Sequence, residues 1–110
     1  MTVSDIINQL SLTVFNAGNL DTEISGAYSS DLLSDVMGNA EEANLWITLQ
    51  THRNVAAIAA LKELAAIILV KGNEPDDDTL THAKEENITL LGSADASFEL
   101  SGKIYALIKH

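Results

Sequence analysis

The chain has 110 residues, which fits one domain of ordinary size, and 46% of them are hydrophobic, enough for one packed core. Its formal net charge is -10, with 16 acidic residues against six Lys plus Arg, so nucleic acid and anionic membrane surfaces are not expected partners. Cysteine is absent, which excludes disulfides and thiolate metal sites and agrees with a cytoplasmic location.

The first predicted elements are a helix and a strand. Residues 3–10 repeat apolar side chains at helical spacing, and Thr2 or Ser4 would cap this helix. Residues 12–15 predict a brief strand, which is closed by a turn at residues 16–19. The chain therefore begins with an element pair that precedes the main α/β pattern.

A second strand and a second helix follow. Residues 22–28 predict a short strand that ends at residues 26–27, so Gly26 is expected at the end of that strand. Ser29 or Ser30 would cap the next helix, and Gly38 stands where a left-handed helix end is expected.

From residue 45 onward, strands and helices alternate. Residues 45–49 and 66–70 are continuous apolar runs, and residues 89–91 form a shorter one, as expected for strands that are covered on both faces. Three helices are predicted beside them, at residues 53–64, 75–86 and 95–109. This alternation predicts an α/β domain, residues 1–110, with a mainly parallel sheet of about four to five strands and flanking helices.

Motifs for catalysis and metal binding are missing. The sequence contains no phosphate-binding loop, no dinucleotide fingerprint and no Gly-x-Ser-x-Gly elbow. His52, His82 and His110 are spaced so that no two share a helical face, which argues against a zinc site. The aspartates at 76–78 are expected to stabilise a helix start rather than to hold a metal. We therefore expect no enzyme activity, no cofactor and no metal.

Polar residues follow the predicted strands where parallel sheets usually hold ligands. The first group is the loop Gln50, Thr51, His52, Arg53 and Asn54. Arg53 would add a bidentate donor to the free N–H groups of a helix start, which favours a small anion such as a phosphate or nucleotide. The other candidates for this ligand site are Lys71, Gly72, Asn73, Ser93 and Gly26. Alternatively, Thr51 or Asn54 is only a cap, and Arg53 only pairs with surface carboxylates.

The helix at residues 53–64 is apolar without a break from Val55 to Leu61. Helices without a polar face are usually covered, so one side would pack on the sheet and the other on a second subunit, as in a homodimer or higher homo-oligomer. The alternative is that its four alanines, which are good helix formers, tolerate exposure to solvent.

Several segments of the sequence resemble the DRTGG domain family, and with it the N-terminal domain of HPr kinase/phosphorylase. The resemblance covers roughly residues 22–108 and depends on residues 24–27, 51–54, 67–72 with Pro75, and 88–91 leading to 96–98. The family is named after an Asp-Arg pair and a Thr-Gly-Gly. Arg53 and Gly72 are kept here, whereas His52 replaces the aspartate, and Val70 and Lys71 replace the threonine and the first glycine.

The resemblance implies a fold like that of the HPr kinase N-terminal domain and a regulatory or ligand-sensing function. The phosphate loop and catalytic residues of the kinase belong to a separate domain, and family members typically appear as accessory domains. A second interpretation is an adaptor that binds another protein through its acidic surface or its alanine-rich helix.

Overall fold

The structure is a computed structural model that describes residues 1–108, which form five helices and five strands. In chain order they are α1 (Val3–Leu10), β1 (Thr13–Asn16), β2 (Gly26–Ser29), α2 (Leu33–Asn39), β3 (Asn44–Thr48), α3 (Asn54–Lys62), β4 (Ala66–Leu69), α4 (Asp77–Glu85), β5 (Leu90–Gly92) and α5 (Ser97–Ile108). The predicted α/β class is confirmed. His110 and the predicted helix end at Lys109 lie outside the described residues.

All five strands belong to one sheet, in the order β1-β5-β4-β3-β2. Strands β2 to β5 are parallel, and each pairs with the next one along the chain, joined through α2, α3 and α4. Strand β1 pairs antiparallel with β5. The mainly parallel sheet is thus confirmed. Because parallel strands end on the same side, the loops after β2, β3, β4 and β5 share one edge, which we call the carboxyl edge.

Side chains on the two faces of the sheet explain why the central strands are apolar without a break. Trp46 and Ile67 pack on the face covered by α2, α3 and α4, and their strand neighbours Ile47 and Ile68 pack on the other face with α1 and α5. Successive strand residues point to opposite faces, so strands covered on both sides need an apolar side chain at every position.

Helix α3 lies between α2 and α4 on its face of the sheet. It buries Val55, Ala56 and Ala59, whereas Ala57 is exposed and Leu61 is 69% exposed. One side of α3 packs on the sheet, and its outer side is apolar and partly exposed. This arrangement agrees both with a second subunit on the outer side and with alanines that tolerate exposure to solvent. A second subunit on that outer side stays a prediction.

Two predicted element bounds are wrong around residue 26. Strand β2 begins at Gly26 instead of ending there. The preceding segment is held by α1 instead of the sheet, because the N–H groups of Val3 and Ser4 donate to the carbonyl oxygens of Thr22 and Leu20. The chain joins the sheet only at Gly26, so β2 starts and ends later in the sequence than predicted.

The two ends of α2 also differ from the predictions. Gly38 lies inside α2, which ends at the extended residue Ala40, so no left-handed glycine terminates it. No serine side chain caps that helix; the Ser30 hydroxyl accepts instead from the Leu32 N–H.

Helices α4 and α5 start two residues later than predicted, at Asp77 and Ser97. The buried residues of α4 are Thr79 and Ala83, and Leu80 is only half-buried.

Helix α1 begins with a reciprocal pair of hydrogen bonds. The Thr2 N–H donates to the Asp5 carboxylate at 2.9 Å, and the Asp5 N–H donates to the Thr2 hydroxyl at 3.2 Å. The predicted cap at Thr2 is confirmed. These two hydrogen bonds lower the pKa of Asp5 below its ordinary value of 3.8. The bond from the Thr2 backbone has the larger effect, and the bond with the Thr2 side chain has the smaller one.

This lowered pKa predicts a pH-dependent contribution to stability. A carboxyl group with a depressed pKa in the folded state stabilises the fold above its unfolded pKa, and the stabilisation is lost as the pH falls through the folded pKa. We therefore expect Asp5→Asn to destabilise the protein at about pH 6, and the difference from the wild type to shrink as the pH falls toward about 2. Urea unfolding at both pH values measures the difference, and a difference independent of pH would contradict this role for Asp5.

Candidate functional site

The loop after β3 is fixed to the neighbouring strand end by Asp31. One carboxylate oxygen of Asp31 accepts from the Thr48 hydroxyl at 2.9 Å and from the Leu49 N–H at 2.7 Å. The Gln50 side-chain amide donates to the Asp31 carbonyl at 2.9 Å. No local sequence pattern pointed to Asp31, because its partners lie across a parallel strand pair. The amide nitrogen of Gln50, a predicted ligand group, thus helps to hold the loop.

The next residues of this loop are anchored to the start of α4. The Thr51 carbonyl accepts from the hydroxyl of Thr79, at 2.6 Å, and Thr79 is fully buried. His52 Nδ1 lies 3.9 Å from the carboxylate of Asp76, the N-cap residue of α4. Thr51 is therefore an anchor for the loop and does not cap α3.

Helix α3 starts without a side-chain cap. Arg53 occupies the N-cap position, Asn54 is the first helical residue, and the first turn contains no acidic residue. The backbone N–H groups of His52, Arg53 and Asn54 make no hydrogen bond within residues 1–108. Among the same residues, Arg53 forms no ion pair. This helix start therefore presents free donors and a free guanidinium group, and the anion site at this loop stays a prediction.

Arg53 also borders a depression along α4. This depression has a volume of ≈ 300 Å³, and its lining is mostly polar or charged: Arg53, Asp78, Thr81, His82, Glu85 and Glu86. The surrounding carboxylates repel an anion on this side of Arg53. An anion at the start of α3 would therefore bind on the side of Arg53 that faces away from α4, toward the other loops of the carboxyl edge.

A second depression opens where the loops after β4 and β5 meet. Its volume is ≈ 310 Å³, and it is lined by Thr13, Phe15, Gly72, Asn73, Glu74, Gly92, Ser93 and Ala94. We call it the β4–β5 cleft. Three predicted site residues, Gly72, Asn73 and Ser93, come together there. Lys71 lies at the same edge, exposed to solvent, but does not line the cleft.

Backbone hydrogen bonds join the two loops that form this cleft. The Lys71 N–H donates to the Asp95 carbonyl at 2.8 Å, and the Gly72 N–H donates to the Ser93 carbonyl at 2.9 Å. Both Lys71 and Gly72 have a positive φ, 59° and 69°, which turns the chain sharply after β4. Because these N–H groups are already used, the cleft offers mainly side chains and carbonyl oxygens to a ligand.

One wall of the cleft comes from the start of the chain. The ring of Phe15 lies against Gly92, so closely that a Cβ atom at residue 92 would be 2.6 Å from Phe15 Cε2. Thr13 pairs with Gly92 in the sheet. Sequence reasoning missed Thr13 and Phe15, because the pairing of β1 with β5 joins segments far apart in the chain. No local pattern could have revealed it.

Gly26 does not belong to either depression. It is the first residue of β2 and pairs with Asn44, the first residue of β3. It therefore lies at the amino ends of the parallel strands, on the side opposite to the carboxyl edge. The prediction that Gly26 belongs to the same ligand site as residues 50–54 does not agree with this position, because β2 starts at Gly26.

Comparison with known proteins identifies the fold. No protein-family model matches the sequence, and neither does any curated protein. Among solved structures, the chain matches the CBS and DRTGG domains of the regulatory region of Clostridium perfringens pyrophosphatase, a structure in complex with the activator diadenosine tetraphosphate. The TM-score is 0.77, the identity is 18%, and the match covers 94% of this chain. The fold is that of a DRTGG domain.

The resemblance predicted from sequence is thus confirmed at the level of the fold. The chain spans 45% of the length of the matched clostridial chain. Within residues 1–108, this DRTGG-like fold contains no group of three or more histidines and carboxylates that could hold a metal ion. None of the helices in this part of the chain combines the length and the apolar character that a membrane crossing requires.

Proposed function

We propose that this protein is a non-catalytic regulatory domain that senses a small nucleotide-like metabolite at its carboxyl edge. The observation that carries the proposal is the β4–β5 cleft, which lies at the same edge as the free amino end of α3. The matched clostridial structure adds support, since it is a regulatory region in complex with a nucleotide activator.

The lining of the cleft suits a planar polar ring better than a phosphate. Phe15 provides an aromatic wall and Ser93 provides a hydroxyl group, and Glu74 is the charged residue among the described residues of the lining. The Asn73 side-chain nitrogen donates to the Val70 carbonyl at 2.7 Å, which leaves its oxygen as an acceptor. A nucleobase amino group matches these acceptors, and the volume of ≈ 310 Å³ lies at the lower end of ligand pockets.

The phosphate part of such a ligand needs donors outside the cleft. Arg53 and the free N–H groups at the start of α3 supply them, and Lys71 adds a second cation at the same edge. Charge-assisted hydrogen bonds of this kind are the strong ones. The proposed ligand therefore spans from the β4–β5 cleft toward Arg53.

Calorimetric titration and thermal shift with adenosine, ATP, diadenosine tetraphosphate and tripolyphosphate test this proposal. We expect the nucleotides to bind, and a ligand at about 100 times its Kd to stabilise the fold by about 2.7 kcal/mol. Arg53→Ala should weaken ATP about 10-fold to 100-fold, because it removes a charge-assisted hydrogen bond, and should leave adenosine unchanged. Glu74→Gln should weaken adenosine and ATP alike.

Lys84→Ala is the matched control, since it removes one exposed cation from the last turn of α4, away from the carboxyl edge. The proposal is wrong if none of the four compounds binds, or if Lys84→Ala weakens ATP as much as Arg53→Ala does. Binding of tripolyphosphate alone would contradict the role of the cleft, because that compound has no ring.

A further inference from the structure

One side of α5 exposes two aromatic residues. Phe98 is 86% exposed and Tyr105 is 66% exposed, while Leu100 and Ile104 on the inner side of the helix are buried. Phe98 and Tyr105 are two helical turns apart, so they lie on the same side of α5. Gly102 lies between them, and a Cβ atom added there would meet nothing within 4 Å.

This exposed side of α5 continues onto an open sheet edge. Strand β2 pairs only with β3 within the described residues, so its other edge has no strand partner. The Ser29 and Ser101 hydroxyls lie 2.7 Å apart and fix α5 over β2. A depression of ≈ 210 Å³ lies between the two elements and is lined by Ala27, Ser29, Ile47, Ser101, Ile104, Tyr105 and Ile108. We call the exposed side of α5 together with β2 the α5–β2 face.

The charge distribution favours a second copy of the chain on this face. Among residues 1–108, none of those that line the depression is charged, and neither are Phe98 and Gly102. Two copies that each have a formal net charge of -10 repel one another elsewhere, so they approach most easily where carboxylates are absent.

The outer side of α3 has carboxylates beside it, so it is less suited to contact with a second copy of the chain. Leu61 is 69% exposed there, but the neighbouring helix α4 is rich in carboxylates, with Asp77, Asp78 and Glu85 exposed. Two copies joined through α3 would bring these carboxylates together. The sequence pointed to α3 as the covered helix, whereas the charges of the folded molecule point to α5.

We propose that two copies of this protein associate about a twofold axis through the α5–β2 face, with β2 antiparallel to β2 and α5 antiparallel to α5. Paired strands are about 4.8 Å apart, so the axis passes about 2.4 Å outside β2. Helix α5 contacts both β2 and β3 and therefore lies about 5 Å from the axis. The two α5 helices then come to about 10 Å from each other, the distance of packed helices, with Phe98 of one copy near Tyr105 of the other.

Sedimentation velocity tests this dimer with a matched pair of variants. Tyr105→Glu and Leu61→Glu each place a carboxylate at an exposed position, 66% and 69% exposed, on different helices. We expect the wild type to be a dimer at about 10 μM, Tyr105→Glu to raise the dimer Kd on the order of 30-fold or more, and Leu61→Glu to leave it unchanged. Far-UV circular dichroism verifies that both variants fold.

Three outcomes overturn the proposal: a monomeric wild type at about 100 μM, a dimer that persists in Tyr105→Glu, and a dimer that only Leu61→Glu dissociates. The first leaves the α5–β2 face open to a different protein, and the third assigns the interface to α3. None of them bears on ligand binding at the carboxyl edge, so the dimer and the proposed function fail separately.

A cross-linking experiment locates the contact independently. The chain has no cysteine, so Gly102→Cys introduces a single thiol close to the proposed axis. Mild oxidation should convert this variant to a disulfide-linked dimer, and Leu61→Cys should stay monomeric under the same conditions. Equal cross-linking of both variants, or cross-linking of Leu61→Cys alone, contradicts an interface at α5.

Discussion

Trp46→Ala is expected to lower the free energy of unfolding by about 3–5 kcal/mol, the range for aromatic residues removed from a packed core. Trp46 lies in the inner strand β3, is fully buried, and belongs to the same buried cluster as Val36 and Val55. Its indole Nε1–H donates to the Ser30 carbonyl at 2.8 Å. The substitution leaves a cavity under α2 and α3 and also removes the partner of that carbonyl.

Urea unfolding followed by circular dichroism measures the effect. Trp46→Phe retains most of the ring volume but loses the hydrogen bond, so it should fall between the wild type and Trp46→Ala. Leu61→Ala, at a mostly exposed position, should change the stability by less than about 0.5 kcal/mol. A loss below about 1.5 kcal/mol for Trp46→Ala would show that α2 and α3 collapse into the space left by the indole.

Gly18→Ala is expected to destabilise the fold by about 2–5 kcal/mol, through a left-handed backbone and a steric clash. Gly18 has a φ of 56°, and a Cβ atom there would lie 2.7 Å from the Thr89 nitrogen and 3.0 Å from the Asn87 oxygen. Both are backbone atoms, so neither can rotate away. The Thr89 hydroxyl also donates to the Ala17 carbonyl at 2.6 Å, which holds this loop against the start of β5.

Two other glycines separate these two causes. Gly72 has a φ of 69° with nothing within 4 Å of an added Cβ atom, so Gly72→Ala should cost only about 1–2 kcal/mol from the backbone conformation. Gly38 lies inside α2 with open space around it, and Gly38→Ala should stabilise by about 0.5–1 kcal/mol. The order of stability, Gly38→Ala above Gly72→Ala above Gly18→Ala, is the result to verify by urea unfolding.

The candidate site could be predicted from sequence only as far as one shared edge. Polar segments after residues 49 and 70 were expected to lie together because parallel strands end on the same side, and the structure places both at the carboxyl edge. The sequence did not predict which residues line the site where the lining depends on contacts between distant parts of the chain. Arg53 and Gly72 border different depressions, Asp31 braces the β3 loop, and Phe15 forms a wall from the other end of the chain.

The sequence by itself determined the α/β class, the parallel strands β3, β4 and β5, and the alternation of strands with helices. These features follow from hydrophobic periodicity and local propensity, which act within a few residues. Only the tertiary structure decided that β1 pairs with β5, that Gly26 lies at the far edge, and that Phe98 and Tyr105 face outward. Those features depend on which distant surfaces meet in the folded chain. The local sequence pattern around an apolar residue is the same whether the residue is buried in its own core or lies at the surface.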